Sequence, residues 1–279
     1  MFRFLKKLMI ILLILIGIPC ALWAYSRYIE PSLLTVHRES ITAPDSVAAT
    51  RVVYFSDTHF GTLYSQENLA RIVDQINAQS PDVVVFGGDF IDNYTRDSYA
   101  LDSDALSAEL ARIQATEGKY AVWGNHDYGG GAEWIYPDIM AAGGFTLLEN
   151  TSEFLSQRGL RIVGYDDALL GHTDSGDYSL DNGDYNLILI HEPDMADAIT
   201  ATGGGLILSG HSHGGQVRLP FLTRLMYPEK GKKYTKGLYT SSDLGRSDAV
   251  QLYVSQGIGV TMVPYRFLNV PEIVVVDIN

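Results

Sequence analysis

Arg51-Val52-Val53-Tyr54-Phe55-Ser56-Asp57-Thr58-His59 is a short, largely apolar run that ends in a polar cluster. The pattern recurs four times. Val83 to Phe86 leads into Gly87-Gly88-Asp89, Tyr120 to Trp123 into Gly124-Asn125-His126-Asp127, Leu187 to Ile190 into His191, and Leu206 to Ser209 into Gly210-His211-Ser212-His213-Gly214. Short apolar runs bounded by Gly and Asp, with helical patterns at 66–79 and about 101–115 between the early ones, predict an α/β protein with buried strands at 51–56, 82–86 and 119–123. Further strand candidates at 160–164, 186–190, 205–209, 250–255 and 272–278 lack long helices between them, so a mixed second sheet is expected. Two mixed sheets packed face to face with helices outside accommodate all of these elements.

The polar clusters lie just beyond strand ends, where ligands bind in open α/β sheets, so five loops can converge on one site. A lone Asp or His after a strand is usually a turn former or a helix cap. Here, however, five of the seven histidines (His59, His126, His191, His211 and His213) occupy these positions, and only His37 and His172 do not. Explaining them structurally would require five independently satisfied polar side chains along one sheet edge. The single cysteine, Cys20, lies in the first apolar run, which excludes internal disulfides, cysteine-rich zinc sites and thiol catalysis from the body. Nitrogen and oxygen donors without sulfur suit Mn, Fe, Zn or Ni better than Mg or Ca. Four imidazoles with three carboxylate or carboxamide groups exceed one ion's needs and make two sites if one carboxylate bridges.

Together, Asp57-x-His59, Gly88-Asp89-x-x-Asp92, Gly124-Asn125-His126-Asp127, His191 and Gly210-His211-x-His213 resemble the signature of the calcineurin-like metallophosphoesterase superfamily over residues 51 to about 278. The stretches His191-Glu192-Pro193-Asp194, His211 to Val217, and Arg266 followed by Pro271-Glu272-Ile273 are similar to a bacterial membrane-anchored subgroup. That subgroup includes Tat-exported members and lipid-active ones, among them enzymes hydrolysing UDP-2,3-diacylglucosamine in lipid A synthesis. The resemblance implies a four-layer sandwich and two divalent ions. Asp57, His59, Asp89 and His213 would hold one ion, and Asp89, Asn125, His191 and His211 the other. It leaves His126 as the acid that protonates the leaving oxygen, with Asp92 as its carboxylate partner. A pair of divalent ions acidifies water and clamps phosphate oxygens, so no protein nucleophile is needed.

The ends of the chain differ in charge. Arg3, Lys6, Lys7 and Arg27 are the only charged residues before Tyr28, whereas the whole chain carries a formal charge of −13. Leu8 to Ala24 contains no charge and at 1.5 Å per residue spans roughly 25 Å, close to the ~30 Å of a hydrocarbon core. The segments expected are an anchor at 1–27, a linker at 28–50 and a catalytic domain at 51–279. A cleaved secretory signal is the alternative for the first of these. Counting basic residues on either side of the run places the body of a bacterial inner-membrane protein outside the cytoplasm, whereas a lipid A role requires it inside.

An acidic body is a poor general binder of nucleic acid. Against it, Arg218 to Lys236 holds Arg218, Arg224, Lys230, Lys232, Lys233 and Lys236 with only Glu229, interleaved with Phe221, Leu222, Leu225 and Met226. This character suits contact with anionic lipid or a phosphorylated amphiphile. Arg266 is a further candidate substrate contact, with surface ion pairing as its alternative. His172 lies in an aspartate-rich stretch from Asp166 to Asp184 that reads as a solvated loop rather than a third metal site. The function expected is a phosphodiester or pyrophosphate hydrolase acting on a membrane lipid or similar small molecule. A non-catalytic metal-binding scaffold and a nuclease are the competing classes.

Overall fold

A computed structural model describes residues 2–172 and 178–279. The chain starts in α1 (Phe2–Ala24), which buries none of its residues and is long and apolar enough to cross a membrane. A π turn at Tyr25–Ile29 and a 3-10 turn at Glu30–Ser32 then carry it into the body.

The first sheet is laid down by β1 (Thr35–Ile41), β2 (Thr50–Phe55), β3 (Val83–Phe86), β4 (Gly118–Ala121) and β5 (Thr146–Leu147). The second half of the chain adds β6 (Thr151–Leu155), β7 (Leu160–Gly164), β8 (Ser179–Leu180), β9 (Tyr185–Leu189), β10 (Thr200–Ala201), β11 (Gly205–Ser209), β12 (Gly237–Tyr239) and β13 (Val250–Val254). The last strand, β14 (Glu272–Ile278), returns to the first sheet, whose order is β1-β14-β2-β3-β4-β5; the second sheet runs β12-β13-β11-β9-β7-β6. Both are mixed. In the first, β14 runs antiparallel to β2; in the second, the outer strands β12 and β6 are antiparallel to their neighbours.

Strand periodicity sorts the core into layers. Val52, Tyr54, Val83 and Val85 face Leu187, Leu189, Leu206 and Leu208 between the sheets, while Val53, Phe55, Val84 and Phe86 turn outward under a helical layer. Residues one apart on a strand point to opposite faces, and here both faces are covered. The outer layer includes α2 (Leu69–Asn77), α3 (Tyr94–Asp97), α4 (Ser103–Ala111), α5 (Asn125–Tyr128) and α6 (Tyr136–Ala142). Of these, α2 presents Leu69, Ile72, Val73 and Ile76 to the core, the spacing of an amphipathic helix.

The stretch expected as a linker differs. Its residues 35–41 form β1, paired in parallel with β14 from Thr35↔Glu272 to Ile41↔Ile278. An edge strand carries polar side chains on its exposed face, and Val36-His37-Arg38-Glu39-Ser40 reads as loop until β14 supplies its ladder. The acidic stretch is exposed or partly exposed over 168–172 and 178–184, as expected of a solvated loop, and differs only at its start. Asp166 and Asp167 are buried, with Asp166 accepting from Tyr128 Oη and from the His172 amide. Residues 173–177 of that stretch lie outside the described residues.

Candidate metal centre

The parallel strands β2, β3 and β4 place their carboxyl ends along one edge of the first sheet, and β9 and β11 do the same in the second. The loops leaving these ends bring Asp57, His59, Asp89, Asn125, His191, His211 and His213 together at the mouth of the sandwich. Backbone conformation marks five of these seven residues. Asp57, His59, Asp89, His211 and His213 all have positive φ, from 45° to 64°. Non-glycine residues seldom adopt that region, and its cost persists where surrounding structure holds a functional geometry.

Among the described residues four groups of donor atoms result, two of which, His59-Asp92-His126 and Glu149-Asp166-His172, lie beside or away from the expected ligand set, and two within it. Asp57, His59 and His213 form one and Asp89, His191 and His211 the other, each with its possible ligand atoms within 4.8 Å of one another. Asp89 lies between them: its Oδ2 is 3.3 Å from His59 Nε2 and 3.1 Å from His191 Nε2. The latter approach lacks hydrogen-bond geometry, and His191 Nε2 and Asn125 Oδ1 are buried without a hydrogen-bond partner among the described residues. His213 Nε2 and His59 Nε2 face each other at 2.9 Å. Buried nitrogens and oxygens aimed at one another in this way are consistent with a dinuclear metal site.

Charge within the metal-free cluster points the same way. Burial opposes protonation of His59, but Asp89 and Asp92 carry it up to about 10. Burial, His59 and Arg266 drive His213 well below the usual imidazole range, and burial with His191 brings His211 down to about 4. Burial disfavours the Asp89 carboxylate, yet His191 and His126 hold it well below the ordinary range. A proton on His59 thus stands where a cation would serve the same carboxylates.

Further bonds orient the ligands. His191 Nδ1 pairs with Gly87 O at 2.7 Å and His211 Nε2 with Glu229 O at 2.8 Å, leaving His191 Nε2 and His211 Nδ1 for an ion. Ser56 Oγ donates to Asp57 Oδ2. Asp127 is buried and accepts the amides of Asp89, Phe90 and Gly124, joining two ligand loops. Its capping role at α5 is therefore part of the site's construction. Gly124 is needed for close approach: a Cβ there would come 2.3 Å from Asp89 Oδ1 and 2.4 Å from the Asp89 amide.

His126 lies at a cavity of about 90 Å³ whose lining includes Asp89, Asn125, His211 and His213. Its Nδ1 is 2.7 Å from the main-chain oxygen of Asp92 and 3.6 Å from the Asp92 carboxylate. The carboxylate expected as its partner is therefore near the ring but shared with other groups. Asp92 Oδ1 faces His59 Nδ1 at 3.1 Å and accepts from Thr261 Oγ1, while Oδ2 accepts from Arg96. The Asp92 carbonyl is the nearer acceptor and fixes the His126 tautomer.

The basic residues separate. Arg266 is fully buried and donates to Gly259 O, Asn269 O and Gln256 O, so it is neither a substrate contact nor part of a surface ion pair. Lys230 bonds Ala168 O, Lys233 pairs with Asp197, Lys236 bonds Gln256, and Arg218 reaches Gly214 O. Their cationic groups are therefore committed to the protein. Among the described residues, only the side chains of Arg224 and Lys232 in this segment are without such a partner. Of the remaining mouth residues, Gln216, Met226 and Pro228 lie in stretches singled out in the sequence, whereas Thr261 and Met262 carry no sequence signal, because tertiary packing alone brings them to the ligands.

Comparison with known proteins agrees with this geometry. The family profile of calcineurin-like phosphoesterases matches residues 50–215. The chain is 37% identical over 261 residues to the uncharacterised metallophosphoesterase YkuE of Bacillus subtilis, covering 91% of this chain and 88% of that protein. It is 25% identical over 261 residues to the phosphodiesterase YaeI of Escherichia coli, covering 92% of each. It is likewise 25% identical over 320 residues to the UDP-2,3-diacylglucosamine pyrophosphatase LpxG of Chlamydia trachomatis, covering 93% of each.

Proposed function

The chain belongs to the calcineurin-like phosphoesterases and is a metal-dependent hydrolase, and from that premise we propose that it cleaves a phosphodiester or pyrophosphate bond of a membrane lipid or nucleotide-lipid. One observation carries the reading: the metal-site mouth and the apolar helix are served by the same two segments. Gln216 and Thr261-Met262 line the mouth, while Val217, Leu219 and Phe267 line an open apolar groove of about 360 Å³ together with Pro19, Leu22 and Trp23 of α1. Around them Phe221, Leu225 and Met262 are 90%, 74% and 80% exposed. Such side chains facing water beside Arg224 and Lys232 suit an interface with anionic lipid. The names of YaeI and LpxG, a phosphodiesterase and a lipid pyrophosphatase, support the same bond types.

In this reading Asp57, His59, Asp89 and His213 hold one ion, and Asp89, Asn125, His191 and His211 the other, with Asp89 shared. Two divalent ions held there supply Lewis-acid polarisation of the phosphate and a nucleophile at neutral pH. The protein's own groups do the rest. With Nδ1 bound to the Asp92 carbonyl, His126 has Nε2 available for the substrate, and its proton passes from that atom to the leaving oxygen as the ester bond breaks. Arg96 and Thr261 hold Asp92 in place. Met226, Pro228 and Met262 line the mouth beside it. The acidic body does not favour stable nucleic-acid binding.

The test compares the full chain with Phe221→Asp/Leu225→Asp in vesicles containing phosphatidylglycerol, using a lipid phosphodiester, UDP-2,3-diacylglucosamine and the soluble bis(p-nitrophenyl) phosphate. The double variant is expected to lose most lipid hydrolysis and keep soluble-ester turnover within about twofold. Equal loss on both substrates, or none on either, defeats the lipid reading. We also infer that α1 is kept as a single-pass anchor. A C-terminal reporter fusion then separates the substrates, since a body outside the cytoplasm favours a lipid phosphodiester and a cytoplasmic one favours the nucleotide-lipid.

A further inference from the structure

The segment that carries α1 into the body is built into the back of the metal centre. Glu30 is fully buried, and its Oε1 accepts the main-chain amide of Asn269 at 2.5 Å. Asn269 in turn donates from Nδ2 to the main-chain oxygen of His213 at 2.5 Å. A second connection starts four residues earlier. Ser26 O accepts the Arg266 amide at 3.0 Å, and the buried Arg266 guanidinium, fastened to three carbonyls, places Nη2 3.4 Å from His213 Nδ1. Two hydrogen-bonded routes, through Asn269 and through Arg266, therefore run from the root of the helix to one residue of the metal site.

His213 requires such support. It has φ of 50° and is followed by Gly214 at 55°, a conformation that the local sequence alone does not favour. Glu30 is also an expensive residue for its place, because a buried carboxylate must be compensated by hydrogen bonds or charge. An apolar side chain would pack after an apolar helix without that cost. What the carboxylate adds is a strong acceptor for the Asn269 amide, and Asn269 holds the strained His213 carbonyl.

We propose that Glu30 is a positioning residue for the metal centre. Through Asn269 it fixes the His213 backbone, and so the ion shared by Asp57, His59 and His213, which couples the seating of the N-terminal helix to metal retention. The inference rests on the two-ion reading of the site. Its test uses the full chain in phosphatidylcholine nanodiscs loaded with cobalt(II), titrated with EDTA and followed by visible absorption and cobalt content. Glu30→Ala is expected to release one of the two ions at about tenfold lower EDTA than the native chain, the range for partners that orient a ligand, and to leave the other unchanged. Glu30→Gln keeps an oxygen acceptor and should retain both ions. Asn269→Ala should behave like Glu30→Ala and covers the case in which that variant does not fold. Native release curves in both alanine variants overturn the proposal, as does simultaneous loosening of both ions with a fall in melting temperature, which marks general loss of structure. A native chain that binds only one cobalt ion defeats the two-ion reading instead.

Discussion

Asp89 stands between two donor groups, so its replacement separates a bridging carboxylate from an ordinary one. Asp89→Ala removes an oxygen that faces both His59 and His191, and bound metal is expected to fall from two ions to less than one per chain with activity abolished. Metal analysis that still finds two ions would contradict the bridge. At His126 the expectation is milder, because the ring meets the Asp92 carbonyl and is placed in neither of the two ligand groups of the dinuclear site. His126→Gln should keep both ions and lose ~10²- to 10⁴-fold in rate, the contribution of a general acid. The loss should shrink for p-nitrophenyl esters, whose leaving group needs no proton. Equal losses for good and poor leaving groups would assign His126 to positioning.

At the scale of elements, the site depends on how closely strand-end loops approach one another. Gly124 sits where the loop after β4 meets the loop after β3, and a Cβ there would strike the Asp89 backbone as well as its carboxylate. Backbone cannot move aside as a flexible side chain can. Gly124→Ala is therefore expected to cost about 1–3 kcal/mol of stability and to lower metal affinity, both measurable by thermal unfolding with and without added manganese. An alanine variant with native metal content would show that the two loops can separate without loss of the site.

For the whole molecule, the ions contribute stability in proportion to their binding. An ion at about 100 times its Kd adds about 2.7 kcal/mol, and in a domain of this size each 1 kcal/mol moves Tm by roughly 2–4 °C. Removing metal with a chelator should thus lower Tm by roughly 5–10 °C per ion lost, and adding manganese or zinc should restore it. Full compensation by protonation is not expected, because His59 is the only histidine of the two donor groups beside His191 that the surrounding carboxylates raise, whereas His211 and His213 are driven down. An unchanged Tm would mean that the buried cluster holds no ion.

The buried central strands and the ligands at their ends were legible in the sequence, because a strand buried on both faces must be continuously apolar and a metal ligand must be one of a few residue types. Asp57, His59, Asp89, His191, His211 and His213 stood out on those grounds before any contact was known. Edge strands and the residues that support the ligands from behind were not. The polar strand 35–41 has no periodic apolar face to announce it, and it exists because β14 lies alongside. Arg266 and Lys233 look alike in sequence, yet one is sealed behind His213 and the other pairs with Asp197 at the surface. Glu30 and His213 are far apart in the chain, and their connection through Asn269 exists only once the tertiary fold has brought the end of the helix against the loop that follows β11. Residue type limits what chemistry a side chain can perform, whereas burial and partner, which decide whether it is ligand, support or surface, come from segments that no local pattern links.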